Sequence, residues 1–239
     1  MKILAIDTSS VTASAALCED THLLGEVYVH IPQTHSETLM PAVCELLRRC
    51  KTTFSEIGLF AVSTGPGSFT GVRIGVAAVK GMALACGVPC VGVSALETAA
   101  WNIPFFTGTI CAVMDARRGQ VYNALFASSP TGLVRRCMDR AVGLDTLLED
   151  LPAEPVLLVG DGAELCYNAF KEHRYCLLAP DRLRFSHAGA VAALGLDAFQ
   201  EKRSLTPDQL MPVYLRLPQA ERELRAKMAQ NNTIRGASS

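Results

Sequence analysis

Three polar clusters carry residue types that could do chemistry. The first is Asp7-Thr8-Ser9-Ser10, at the end of the apolar run Lys2-Ile3-Leu4-Ala5-Ile6. An Asp that ends a strand and is followed by hydroxyls can hold a phosphate on backbone N–H groups while the carboxylate steers a magnesium-bound water. The same residues also make an Asx or hydroxyl turn that only closes a hairpin. The second is Ser63-Thr64-Gly65-Pro66-Gly67-Ser68-Phe69-Thr70-Gly71-Val72-Arg73. Its glycines permit close backbone approach, and the N-terminus of a following helix favours an anion. Its spacing is neither that of a Walker loop nor of a dinucleotide fingerprint, and a tight strand-to-helix crossover needs the same glycines. Phosphate or nucleotide binding therefore has Asp7, Thr8, Ser9, Gly65, Gly67, Ser68 and Thr70 as its candidates. The third, His35-Ser36-Glu37, offers a base but no activated nucleophile. Ser36 capping a helix, with Glu37 in its first turn, explains it better.

Metal chemistry finds little support. The five histidines are dispersed, with no HxxxH or HExxH pair, and the nine cysteines contain no CxxC. Buried small hydrophobes in a reducing cytosol account for the cysteines. The formal net charge is −1, so no overall basic field draws the chain to nucleic acid or anionic membrane. The start of the chain meets Asp7 after four apolar positions, and no uninterrupted apolar run approaches spanning length. The expectation is a cytoplasmic protein without a membrane segment.

The elements that must position these clusters repeat. Residues 2–6, 12–18 and 23–29 read as a three-strand meander. Later, residues 109–114 lead to Asp115-Ala116-Arg117-Arg118-Gly119, and 120–126 return as a strand. Asp7 and Asp115 stand close to half the chain apart in the same order of elements, which points to duplication. The second copy lacks the Thr-Ser pair and is degenerate as a phosphate loop. Helices are predicted over 36–49, 71–86, 95–100, 144–151, 162–170 and 187–200, with strands at 58–63, 91–93 and 155–160. This plan predicts an α/β protein of two RNase-H-like lobes: residues 1–104, then 105–218. A charged helix or frayed tail follows over 219–239.

The helix after the glycine run is apolar on all sides except for Arg73 and Lys80. A surface helix keeps a polar face, so either the fold buries this one on both sides or another chain covers it. Small residues Gly75, Ala78 and Gly81 favour a covering helix. A charge at Ala78 or Val79 is the corresponding test.

These motifs resemble a known family. Ile3 to Thr8, the run Gly65-Pro66-Gly67-Ser68-Phe69-Thr70-Gly71-Val72-Arg73-Ile74-Gly75, Gly92-Val93-Ser94, Met114-Asp115-Ala116-Arg117 with Val121-Tyr122, and Pro212-Val213-Tyr214-Leu215-Arg216 are similar to bacterial TsaB (YeaZ) proteins. The matches run in order along all but the C-terminal tail. The resemblance implies the actin-like ATPase (sugar kinase/Hsp70/actin) superfamily and a role in tRNA threonylcarbamoyladenosine biosynthesis. TsaB-like proteins are paralogues of TsaD, which holds its metal on two histidines spaced HxxxH. The matching positions here are Ala95 and Ala99. The resemblance thus implies a pseudoenzyme, a non-catalytic subunit that requires no cofactor of its own. It would work with a TsaD-like partner and a TsaE-like ATPase on tRNA, ATP being used by the assembled complex. It also implies a homodimer when alone, through the same face. That face is expected to comprise Leu39, Val43, Leu46, Arg73, Ile74, Ala77, Ala78, Lys80, Gly81 and Leu84. A stand-alone ATP-dependent phosphotransferase is the alternative, and a peptidase a third reading that Ala95 and Ala99 oppose.

Overall fold

A computed structural model describes residues 1–31, 34–103, 105–130, 132–172 and 175–216. The expected helix and tail over 219–239 lie outside the described residues. Strands β1 (Lys2–Asp7), β2 (Ala13–Glu19) and β3 (His22–Val29) form the antiparallel meander, with Asp7 paired to Ser14 at its closed end. Strands β4 (Ile57–Gly65) and β5 (Cys90–Ser94) then add in parallel, giving the order β3-β2-β1-β4-β5. Both central strands are apolar on two faces, as a sheet covered by helices on both sides requires.

The second sheet repeats this plan. Strands β6 (Gly108–Asp115) and β7 (Gln120–Ser129) are antiparallel, with Met114 opposite Tyr122. Two short strands, β8 (Gly132–Arg135) and β9 (Arg140–Gly143), both pair with β7 where the first sheet has one strand. Strands β10 (Val156–Val159) and β11 (Cys176–Leu178) run parallel to β6 on its other side. The order of pairing is therefore the same in both halves, as the spacing of Asp7 and Asp115 predicts.

Helices α1 (His35–Arg49) and α2 (Phe69–Cys86) cover one face of the first sheet. The cap of α1 corrects the sequence reading: Thr34 is the N-cap, not Ser36, and its N–H donates to the Glu37 carboxylate at 3.4 Å. This is the reciprocal box that a Thr three residues before a Glu makes. On the second sheet, α4 (Leu144–Asp150) and α5 (Ala163–Phe170) play the equivalent part.

Two further helices change places. Helix α3 (Ala95–Trp101) leaves the first sheet but packs on the second, its Ala95, Leu96, Ala99 and Ala100 meeting Ile110, Ala112 and Phe126. After the short helix α6 (Asp181–Arg184), α7 (Ala188–Gln200) returns to the first sheet, laying Ala188, Val191, Ala192 and Leu196 on Ile3, Ala5 and Leu59. The lobes are thus not the contiguous halves 1–104 and 105–218, because each sheet is completed by a helix from the other half.

The entry of α7 is pinned by an ionic clasp. His187 is its N-cap, stacks on Tyr28 at 4.5 Å, and places Nδ1 3.2 Å from Glu26 Oε2, while Gly189 N–H donates to Glu26 Oε1 at 2.9 Å. The Glu26 hydrogen bond holds the His187 pKa above its ordinary 6.5, against the opposing effect of burial. A His favoured in its charged form contributes stability fully below 6.5 and loses it as pH rises through the raised folded value. Glu26→Gln is expected to flatten this part of the pH dependence. Urea unfolding from about pH 5.5 to 8.5 measures it, and an unchanged slope in the variant contradicts the clasp.

Candidate functional site

The Asp7 turn spends its polar atoms inside the chain. Asp7 is buried, and its Oδ1 accepts from the Ser9 N–H at 2.7 Å and the Ser9 hydroxyl at 2.8 Å. Its Oδ2 accepts from the Ser63 hydroxyl at 2.6 Å, across to β4. Thr8, also buried, donates its hydroxyl to the Gly71 carbonyl at 2.8 Å. The Ser68 N–H donates to the Ser9 carbonyl at 2.7 Å, and the Ser68 hydroxyl accepts from the Gly71 N–H at 3.2 Å. Of the amides at the start of α2, those of Ser68 and Gly71 are therefore turned to the Asp7 turn and to the cap.

The glycines are required by this contact. A Cβ at Gly67 would overlap the Ser9 carbonyl oxygen, and one at Gly71 would overlap that of Thr8. The same contact encloses part of the expected phosphate cradle. Asp7, Thr8 and Ser9 are enclosed, Gly65 is buried beneath Val213, and only Ser68 and Thr70 of the seven candidates are exposed. The run is a close-packed strand-to-helix crossover.

Beside it, a cleft of about 870 Å³ opens between the lobes. Ser68 and His35 line one wall, with His35 Nε2–H donating to the Ser10 carbonyl at 2.9 Å. Asp115 lies opposite, its carboxylate accepting from the Arg117 N–H at 2.7 Å and the Arg117 guanidinium at 2.9 Å. Asp161 accepts from the Asp115 N–H at 3.0 Å. Sequence reasoning passed over Asp161, although Gly160-Asp161-Gly162 after the run 155–159 is one more strand-ending Asp.

Burial and the neighbouring Asp115 charge push the Asp161 pKa up to about 6, with the Asp115 N–H opposing. A carboxyl that titrates at 3.8 unfolded and near 6 folded makes the chain lose stability as pH rises through that window. Asp161→Asn keeps the acceptor oxygen without the charge. Its gain in melting temperature over the parent chain is expected to grow between about pH 4 and 7 and then level off. Thermal melts across that range check it, and a pH-independent difference contradicts it.

The other candidate surface lies on the outer side of α2. Val72, Val76, Val79 and Ala83 face the core, whereas Arg73, Ala77, Gly81 and Leu84 form an exposed stripe, with Leu84 at 74% exposure. Ile74 and Ala78 are half-buried against the first core, and Lys80 is half-buried beside the stripe. The α1 residues proposed for the same face need correction. Leu39, Val43 and Leu46 lie inside the first core, and the exposed side of α1 carries Ser36, Glu37, Met40, Pro41, Cys44, Arg48 and Arg49. Among the described residues, α2 is the one helix with the length and apolarity to cross a membrane. Here its inner side lies on the sheet. Ala95 and Ala99 are buried in the second core, and no group of three or more His, Cys, Asp or Glu that could hold a metal occurs among the described residues.

Comparison with known proteins fits this geometry. A family model described as TsaD, tRNA N6-adenosine threonylcarbamoyltransferase, matches residues 29–224. The tRNA threonylcarbamoyladenosine biosynthesis protein TsaB of Bacillus subtilis is 36% identical over 225 residues, covering 92% of this chain and 96% of that protein. TsaB of Escherichia coli is 32% identical over 237 residues, 95% of this chain and all of that one. The solved structure of YeaZ from Pseudomonas aeruginosa superposes with a TM-score of 0.77 at 25% identity, over 90% of this chain and 99% of that one. With a duplicated α/β sheet plan, helices exchanged between two lobes, and relatives matched along nearly their full length, the chain belongs to the TsaB/YeaZ family of tRNA threonylcarbamoyladenosine biosynthesis proteins.

Proposed function

We propose that this chain is a non-catalytic, activating subunit of the complex that attaches a threonylcarbamoyl group to N6 of adenosine 37 in tRNAs reading ANN codons. It acts by docking on a TsaD-like catalytic paralogue, and a TsaE-like ATPase joins the pair. The observation that carries this reading is the stripe Arg73, Ala77, Gly81 and Leu84. Ala77 and Gly81, one turn apart, let a second helix come close, and Leu84 supplies an apolar anchor. Buried Ala95 and Ala99 support the reading from the other direction, since neither side chain can ligate a metal or transfer a proton. ATP is used by the assembled complex, and this chain requires no cofactor of its own. Alone, it forms a homodimer through the same stripe. The setting is the bacterial cytoplasm, and tRNA is reached through the complex.

Affinity purification of the tagged chain from cells expressing the TsaD-like and TsaE-like proteins tests this, with and without ATP. Recovery of the TsaD-like protein in near-equal amount is expected. Failure to recover it, together with tight magnesium–ATP binding and turnover by the isolated chain in calorimetry, would support a stand-alone phosphotransferase instead.

A further inference from the structure

Beyond α7 the chain runs along the first lobe, closing its core, before it reaches the second. Leu205 exchanges both backbone hydrogen bonds with Cys90, at 2.8 and 3.0 Å, on the free edge of the first sheet. Leu210 then drops into the first core with no exposed surface, and Lys80 of α2 reaches the Asp208 carbonyl at 3.3 Å. The Val213 N–H donates to the Thr64 carbonyl at 2.8 Å, at the end of β4. The Tyr214 hydroxyl accepts from Arg73 Nε at 2.7 Å, and its ring lies 4.9 Å from that of Phe69, over which the Arg73 guanidinium sits at 3.8 Å. Two residues on, Arg216 Nη1 donates at 2.6 Å to the Ala116 carbonyl, in the β6–β7 turn across the cleft. Every attachment up to Tyr214 is on the first lobe, and the last is on the second.

The outer side of this segment continues the α2 stripe. Met211, Val213 and Tyr214 are exposed, Lys80 Nζ lies 3.9 Å from Met211 Sδ, and Arg73 belongs to both surfaces. A body seated on Arg73, Ala77, Gly81 and Leu84 therefore meets the segment as well. We propose that residues 205–216 are a strap linking the docking stripe to the cleft: occupation of the stripe fixes Arg73 and Tyr214, which hold Arg216 on the β6–β7 turn and so set how far the lobes stand apart. What docks rests on the function proposed above, but the link is a property of the free chain. Linkage also runs in reverse, so a molecule that wedges the cleft open weakens docking by the same factor.

Amide hydrogen exchange at Ala116, Arg117 and Gln120 reads the link, because these N–H groups close the β6–β7 turn. Arg216→Ala is expected to speed their exchange about threefold or more, as release of a local anchor does. Arg73→Ala and Tyr214→Phe should do the same, although neither residue touches the second lobe. Arg48→Ala, on the exposed side of α1, should leave them unchanged. Normal exchange in both Arg73→Ala and Tyr214→Phe, with fast exchange in Arg216→Ala, overturns the link. Normal exchange in all three overturns the anchor itself. If the TsaD-like protein does not bind the parent chain, the docking proposal fails while these measurements still decide the strap.

Discussion

Gly71→Ala is expected to destabilise the chain by about 3 kcal/mol or more, a large loss for one methyl group. The added Cβ would overlap the Thr8 carbonyl oxygen and crowd His35 and Ser68. The buried Thr8 hydroxyl would then lose its Gly71 acceptor, and its burial would no longer be offset. The Asp7 turn and the start of α2 are held together by that contact and by the Ser68-to-Ser9 bond, so both must shift. Gly81→Ala is the internal comparison. It lies in the same helix with open space beyond its Cα, and alanine there should stabilise the free chain by about 0.5–1 kcal/mol through helix propensity. Urea unfolding of the two variants checks the contrast. Equal effects would mean that the glycine run is not a packed crossover.

Leu84→Asp carries the second large effect, on docking rather than folding. Leu84 is 74% exposed, so a carboxylate there stays hydrated in the free chain and the unfolding midpoint should hardly move. Covered by a partner helix, the same carboxylate is desolvated while Lys80, one turn away, is held at the Asp208 carbonyl, at a cost of about 3 kcal/mol or more, roughly a hundredfold in Kd. Calorimetric titration against the TsaD-like protein measures this. The proposed homodimer should dissociate to monomers in light scattering for the same reason. Val79, which the sequence also suggests for a charge, is fully buried in the first core. A charge there would unfold the lobe and report nothing about the interface.

That difference between Val79 and Leu84 shows where sequence reading stops. The repeat of strand, Asp and polar turn is legible at Asp7 and Asp115, because strand periodicity and turn chemistry are local. The amphipathic pattern of α1 is legible too, but periodicity marks a face without saying what lies against it. Leu39, Val43 and Leu46 proved to face the sheet. For α2, which is apolar all round, the side presented outward depends on how the glycine run seats it on the Thr8 and Ser9 carbonyls. The exchange of α3 and α7 was not legible, because nothing in Ser94-Ala95 or Ser186-His187 records which sheet the next helix will cover. Asp161 was missed because its partner is the backbone of Asp115, from a distant strand.

In the function proposed above, this chain contributes assembly and not chemistry. The most direct measurement is the rate of adenosine 37 modification in a reconstituted mixture of tRNA, threonylcarbamoyl-AMP, the TsaD-like and TsaE-like proteins and ATP. The chain is omitted, supplied unaltered, or supplied as Leu84→Asp. Negligible modification is expected without the chain, full modification with it, and a loss with Leu84→Asp that saturating concentrations of the variant restore. Full modification without the chain would contradict the proposed function, as would a Leu84→Asp chain as effective as the parent at limiting concentration.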